Sequence, residues 1–129
     1  MPDKTITQKL VIKQGQNVLF LDAPKGYDAK IGSLPAGVTV ATAVRAGQRV
    51  DVAQVFVRTR KELEEQLMKV RPIVDPKGII WVTYPKGTSK TYTEINRDVI
   101  REYAQTVSLQ AVAIFSVDEN WSAMRLKLV

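Results

Sequence analysis

Polar and charged side chains follow several apolar segments of this sequence, where they could hold a ligand or take part in a reaction. Asp22, Lys25 and Tyr27 come directly after the first such segment. Ligands of open α/β sheets bind beyond the carboxyl ends of the strands, so these side chains are candidates for a binding site. Asp22 could accept hydrogen bonds from a ligand, or it could cap the turn that follows it.

The stretch from Tyr84 to Thr91 is the best candidate for a binding loop. Its sequence, Tyr-Pro-Lys-Gly-Thr-Ser-Lys-Thr, joins a predicted strand to a predicted helix. Lys86, Ser89 and Lys90, together with free N–H groups at the helix start, could form a pocket for a small anion. The residue order of a P-loop is absent, and a solvated turn before a well-capped helix is the alternative.

Arg97 and Trp121 complete the candidate set. Arg97 and Asp98 fall in the first turns of the next predicted helix, where they could contact the same pocket or form a surface ion pair. Trp121 begins the last predicted strand, where its indole could stack on a planar ligand or close the core. The predicted ligand-binding residues are Asp22, Lys25, Tyr27, Tyr84, Lys86, Ser89, Lys90, Arg97 and Trp121.

The chain of 129 residues contains neither histidine nor cysteine. Disulfides, thiolate nucleophiles and catalytic triads built on histidine are therefore excluded, and we predict no metal site. An enzyme would have to rely on carboxylate, lysine, tyrosine or serine side chains, such as Asp22, Tyr84, Lys86 or Lys90. These absences argue against an enzyme, but the sequence does not decide whether the protein is one.

The formal net charge of +6 could attract nucleic acid, phosphate ligands or anionic membranes, or it could simply keep the protein soluble. Arg45, Arg49, Arg58, Arg60 and Lys61 cluster in the sequence, but we expect no exposed aromatic side chain among them, so we do not expect nucleic-acid binding. No apolar run approaches the ~18 residues needed to span a membrane, and no signal peptide follows Met1. We predict a cytoplasmic protein without membrane contact.

Apolar segments alternate between strand-like and helix-like periods, with no repeat and no linker. Thr59 and Glu62 form a capping box before one helix. Thr91 and Glu94 form another. We predict strands at 18–21, 38–42, 52–57, 79–84, 109–117 and 122–129, and further helical turns at 4–12 and 25–33. This order predicts a single α/β domain over residues 1–129: an open, mainly parallel Rossmann-like sheet of about six strands, with an antiparallel C-terminal hairpin and helices on its faces.

The connection between the second and third predicted strands, residues 43–50, is too short to include a helix. Either a loop crosses there, or the two strands form a hairpin around Ala46 and Gly47. A crossing loop would leave one sheet face without a covering helix. Apolar side chains would then be exposed on that face, which favours a homodimer.

Several stretches resemble known families. The segment from Leu67 to Tyr84 resembles the helix–turn–strand unit of class I methyltransferases, and the closing hairpin matches that fold. The whole chain resembles a family of small bacterial proteins known only as a domain of unknown function. The stretches that carry this resemblance are Gly15 to Tyr27, Trp81 to Lys86 with Ser89-Lys90, Asn96 to Asp98, and Asp118 to Arg125. The resemblance implies a methyltransferase-like fold and transfers no activity.

The signature of a methyl-donor site is missing. The turn after the first strand, Asp22 to Tyr27, has one glycine, a proline and a bulky tyrosine in place of several glycines. Ala43-Val44-Arg45 stands where an acidic residue would bind ribose hydroxyls, and Arg58-Thr59-Arg60 replaces the acceptor motif of the resembled fold. We therefore predict no cofactor.

The function that we expect from these observations is a non-catalytic or uncharacterised methyltransferase-like domain. It would bind a small anionic ligand at residues 84–91. Two alternatives stay open: a small enzyme with Asp, Lys or Tyr as acid or base, and a protein- or nucleic-acid-interaction module.

Overall fold

The computed structural model describes residues 10, 12–23, 25–27, 31, 34–45, 47–85, 95–117 and 121–128. Its strands are β1 (Asn17–Leu21), β2 (Thr39–Ala41), β3 (Val50–Phe56), β4 (Val74–Pro85), β5 (Leu109–Ser116) and β6 (Trp121–Leu128). Its helices are α1 (Arg60–Val70) and α2 (Arg97–Thr106). Neither of these helices has the length and apolar character needed to cross a membrane.

The six strands form one sheet in the order β2-β1-β3-β4-β6-β5. The first four strands run parallel to one another, and β6 is antiparallel to both β4 and β5. The predicted α/β fold, with a mainly parallel sheet and an antiparallel C-terminal hairpin, is confirmed. The strand order reverses between β1 and β3, and this reversal is the switch point at which open α/β sheets bind ligands.

The connection between β2 and β3 crosses the sheet. Both strands pair with β1, one on each side, so the alternative hairpin around Ala46 and Gly47 is wrong. The exposed apolar face that we expected from this crossing is also not found, since Val18, Val52 and Trp81 are fully buried. Residues near the N-terminus and after β1 pack over that face, namely Leu10, Ile12, Tyr27 and Ile31.

The other face of the sheet is covered by α1 and α2. Thr59 caps α1, as predicted: its Oγ1 accepts a hydrogen bond from the Glu62 N–H at 3.1 Å. The Glu62 carboxylate accepts in turn from the N–H of Arg58 at 2.8 Å. Leu63 and Leu67 are buried against the sheet, so the helical period correctly identified the inner face of α1.

Helix α2 begins later than predicted. Asn96 is its N-cap, and the Asn96 side chain accepts from the N–H groups of Asp98 and Val99. Ile95 lies before the helix and is buried in the core. The predicted cap pair, Thr91 and Glu94, lies outside the described residues. Most of the predicted helix over 4–12 lies outside them too, as do residues 28–30 and 32–33 of the predicted turns over 25–33.

A glycine allows β3 and β4 to approach closely. A Cβ atom at Gly78 would lie 2.6 Å from the carbonyl oxygen of Asp51 and 2.8 Å from a methyl group of Val74. The pairing of the two strands shifts register in the same region, between Val50 and Val52. Only glycine fits this contact without moving backbone, which explains the glycine of the methyltransferase-like stretch.

A short chain of polar groups runs through the core opposite α1 and α2. The Tyr27 hydroxyl donates to Gln54 Oε1 at 2.6 Å, and Gln54 Nε2 donates to Thr83 Oγ1 at 2.9 Å. Gln54 and Thr83 have no exposed surface. Buried polar groups are tolerated when they are hydrogen-bonded in this way, and the network fixes Tyr27 against the sheet.

We predict that Tyr27→Phe lowers the free energy of unfolding by about 1–3 kcal/mol, because Gln54 Oε1 loses the hydroxyl that donates to it. Urea denaturation measures the change. Tyr103→Phe, on the half-buried ring of α2, is the matched control and should cost less than about 0.5 kcal/mol. Equal effects of the two substitutions would contradict the assigned network.

Candidate functional site

The carboxyl ends of β1, β3 and β4 meet at one edge of the sheet because these strands are parallel. Strand β6 is antiparallel to β4, so its first residue lies at the same edge. Asp22 after β1, Arg58 after β3, Tyr84 at the end of β4 and Trp121 at the start of β6 therefore share this edge. We call it the carboxyl edge.

Asp22 is held in an unusual conformation. Its φ of 60° is in the left-handed region, which aspartate tolerates better than most residues. The Nε2 group of Gln66, on α1, donates a hydrogen bond to Asp22 Oδ2. Gln66 is only 5% exposed, and among the described residues its buried Oε1 atom has no hydrogen-bond partner. The pair therefore presents two acceptors, an exposed carboxylate and a buried amide oxygen.

Arg58 adds a cation to the carboxyl edge. Its guanidinium carbon lies 5.2 Å from the centroid of the Trp121 ring, within the range of a cation–π contact. Trp121 also packs edge-to-face on Phe56, with ring centroids 5.4 Å apart, and is only 8% exposed. The indole of Trp121 therefore closes the core, which is one of the two roles that the sequence suggested for it. It also holds the Arg58 guanidinium at the carboxyl edge.

Tyr84 lies buried at the end of β4 with its side chain toward α2. Burial raises the pKa of Tyr84 above its ordinary value, whereas nearby Arg97 and Arg101 lower it and Asp98 raises it further. The net shift is upward, so Tyr84 is a neutral phenol at physiological pH. It can donate a hydrogen bond, but it is not activated as a base.

The predicted residues are only partly brought together. Tyr27 packs edge-to-face between Phe20 and Phe56 on the sheet face opposite Gln66, so the structure places it in the core. Lys25 and Arg97 are exposed, the latter at the start of α2. The predicted binding residues Lys86, Ser89 and Lys90 lie outside the described residues.

Two residues of the carboxyl edge were missed by the sequence analysis. Arg58 was considered only as part of a basic cluster and of a missing acceptor motif. Gln66 carried one signal: it stands among Leu63, Leu67 and Val70 on the buried face of α1, where a polar side chain is unusual. The described residues include no cluster of acidic groups that could hold a metal ion.

Solved structures that resemble this chain are methyltransferases. A SAM dependent methyltransferase from Aquifex aeolicus superposes with a TM-score of 0.66 at 10% identity, covering 95% of this chain and 87% of that chain. The ribosomal protein L11 methylase from Lactobacillus delbrueckii subsp. bulgaricus gives 0.66 at 8% identity, covering 95% and 74%. The M1A22 tRNA methyltransferase TrmK from B. subtilis gives 0.59 at 10% identity, covering 100% and 67%. Identities this low show the fold alone, and the predicted methyltransferase-like fold is confirmed.

The methyl donor that this fold implies does not fit the described residues. Tyr27 stands where a methyl-donor turn has glycine, and its bulky ring packs between Phe20 and Phe56. No carboxylate follows β2, where Ala43, Val44 and Arg45 stand. We therefore assign no methyl-transfer step to this site.

The raised pKa of Tyr84 predicts a pH dependence. The folded protein holds this proton more tightly than the unfolded chain, whose tyrosines titrate near pH 10. The contribution of Tyr84 to the free energy of unfolding is therefore fully present below about pH 10, and it is lost as the pH rises further. In an ultraviolet absorbance titration, Tyr84→Phe should remove a phenol whose pKa lies above that of an ordinary tyrosine. Loss of a phenol that titrates at or below its ordinary pKa would contradict the burial of Tyr84.

None of the curated proteins is a significant match to this sequence. Residues 36–128 match a family model described as "Protein of unknown function (DUF3052)". The match extends over more than half of the chain and includes β2 to β6. The chain therefore belongs to the DUF3052 family, and its members share no assigned function on which to draw.

Proposed function

We propose that this chain is a ligand-binding domain of methyltransferase-like fold whose ligand is a small anion that carries hydroxyl groups, such as a phosphorylated polyol. The observation that carries the proposal is the buried Oε1 atom of Gln66, for which the described part of the chain offers no donor, beside the exposed carboxylate of Asp22. Both groups lie next to the switch point, where the scaffold favours ligand binding.

The energetic cost of leaving Gln66 Oε1 without a donor supports a ligand at this position. A buried acceptor without a donor costs about 1–3 kcal/mol, so such groups are rare in folded proteins and indicate water, an ion or a ligand that completes them. A hydroxyl group that donates to Gln66 Oε1 would remove this cost. A second hydroxyl could donate to Asp22, because an ionised carboxylate only accepts hydrogen bonds.

The charges of the carboxyl edge support an anionic group on the same ligand. Arg58 is held by Trp121 at this edge, and Lys25 and Arg97 are exposed near it. Asp22 would repel an anion placed directly beside it. The ligand that suits both features therefore directs its hydroxyl groups to Asp22 and Gln66 and its anionic group to the cations.

The residues that follow β4 in the sequence are part of this proposal. Lys86, Ser89 and Lys90 follow β4 in the sequence, and the anion pocket predicted there would extend the cationic side of the site. A cytoplasmic location, as expected from the sequence, also belongs to the proposal. The alternative of an acid–base enzyme receives less support, because burial raises the pKa of Tyr84, whereas a catalytic base would need a lower one.

Thermal-shift and calorimetric titrations test the proposal with ribose 5-phosphate, glycerol 3-phosphate, inorganic phosphate and free ribose. A phosphorylated polyol at about 100 times its Kd should stabilise the protein by about 2.7 kcal/mol. Phosphate or ribose alone should stabilise it much less, since each satisfies one side of the site. Stabilisation by S-adenosylmethionine, with none by the phosphorylated polyols, would contradict the proposal.

Gln66→Met separates binding from folding. The substitution removes the unpartnered oxygen together with one hydrogen bond to the exposed Asp22, so the stability of the unbound protein should change by less than about 1 kcal/mol. Stabilisation by the phosphorylated polyol should be lost. Gln54→Met is the contrast: it removes the two buried hydrogen bonds that Gln54 makes with Tyr27 and Thr83, and it should cost about 1–3 kcal/mol.

Glu65→Gln, on the exposed side of α1, serves as a control for both measurements and should leave stability and binding unchanged. Full ligand stabilisation of the Gln66→Met variant would show that the ligand does not use this amide. A large loss of stability in that variant without ligand would show that Gln66 is an ordinary core residue.

A further inference from the structure

The outer edge of β5 has the features of a strand that pairs with a second copy of itself. Among the described strands only β6 pairs with β5, so the other edge of residues 110–115 faces no described strand. The backbone N–H and C=O groups along such an edge are a template for pairing with a further strand. Three apolar side chains along it are 40–44% exposed: Val112, Ile114 and Phe115.

Strand β5 lacks most of the devices that protect exposed edges. Its eight residues, Leu-Gln-Ala-Val-Ala-Ile-Phe-Ser, include no charged residue and no proline, in a chain of which 25% is charged. Proteins that must stay monomeric commonly place lysine or proline there or keep the edge strand short. The opposite edge of the sheet follows that rule, because β2 has only three residues. In β5 a single bulge, between Ala111 and Ala113, interrupts the pairing with β6.

The space beside β5 can receive the side chains of an added strand. A groove of about 530 Å³ lies between the second half of α2 and the first half of β5. Its lining is formed by Arg101, Gln105, Ser108, Leu109, Gln110 and Ala111. Strand addition uses such grooves, since backbone hydrogen bonds provide affinity and alternate side chains occupy the pockets.

The uncharged edge of β5 permits a second copy as the occupant, and the self-complementarity of antiparallel pairing favours it. Two chains of net charge +6 repel each other wherever basic side chains meet. The β5 edge brings no charged side chain of its own strand into such a contact. Antiparallel pairing of identical strands is also self-complementary and closes on a two-fold axis, so it ends at a dimer rather than a fibre.

We propose that two copies of this chain associate through antiparallel pairing of their β5 strands, which would join the two sheets into one continuous sheet. The basis differs from the uncovered sheet face that the sequence suggested, since that face is packed. The inference does not depend on the carboxyl-edge ligand, because β3, β4 and β6 separate β1 from β5.

The test compares lysine substitutions at the two edges of the sheet. Val112 in β5 and Val40 in β2 are the same residue type, and each is 44% exposed. Val112 lies in the middle of β5, so antiparallel pairing brings the two copies of position 112 close together. Val112→Lys would place two like charges there, whereas Val40→Lys adds the same charge at the far edge.

Sedimentation equilibrium of the full chain over a wide concentration range measures the association. The wild-type and Val40→Lys proteins should dimerise, and Val112→Lys should raise the dimer dissociation constant by about tenfold or more. A wild-type chain that stays monomeric at high concentration would overturn the proposal. So would a dimer that Val112→Lys leaves intact, or one that only Val40→Lys disrupts.

Amide hydrogen exchange on the wild-type protein tests the same interface without a substitution, in case Val112→Lys fails to fold. Protection of amides in residues 110–115 should rise with protein concentration, because pairing hides the outer N–H groups from water. Protection in β2 should not change. Concentration-independent exchange along β5 in a dimeric sample would overturn the proposal.

Discussion

The parallel pairing of β1 with β3 is the constraint on which the rest of the structure depends. The register Leu21 to Val55 brings the carboxyl ends of the two strands together and sets Asp22 and Arg58 at one edge of the sheet. Since β2 pairs on the other side of β1, the chain must cross the sheet between β2 and β3. The same arrangement creates the switch point, where a crevice opens between connections that leave in opposite directions.

The fold was largely predictable because its signals are local and repeated. Continuous apolar runs identified the strands that are buried on both faces, and Thr59 with Glu62 marked the start of α1. The start of α2 was placed too early because Thr91 and Glu94 match a capping box, whereas the structure caps the helix with the Asn96 side chain. Whether β2 and β3 form a hairpin could not be decided from the sequence, because strand order depends on long-range pairing.

The candidate site was less predictable than the fold. Residues that follow strands could be assigned to the carboxyl edge, and Asp22, Tyr84 and Trp121 do lie there. Their side-chain directions could not be assigned, and Tyr27 turned into the core because Gln54 offers its hydroxyl a buried partner. Gln66 was missed because it lies far from Asp22 in the sequence, and only tertiary packing brings them together.

The fold and the candidate site of this chain depend on different residues. The sheet order and the close approach at Gly78 are features of strand packing and are independent of any ligand. The turn after β1, by contrast, has one glycine, with Asp22 bonded to α1. A shared fold therefore does not by itself identify a function, and the chemistry of a site must be argued from its own side chains.

The central claim, that a ligand completes the hydrogen bonds of Gln66, is tested most directly by NMR of the side-chain amides. Gln54 provides an internal reference, because its amide is already bonded to Tyr27 and Thr83. On titration with ribose 5-phosphate, the account predicts a saturable shift of the Gln66 side-chain amide resonances and little change for Gln54. An unchanged Gln66 amide in a protein that has bound the ligand would contradict it.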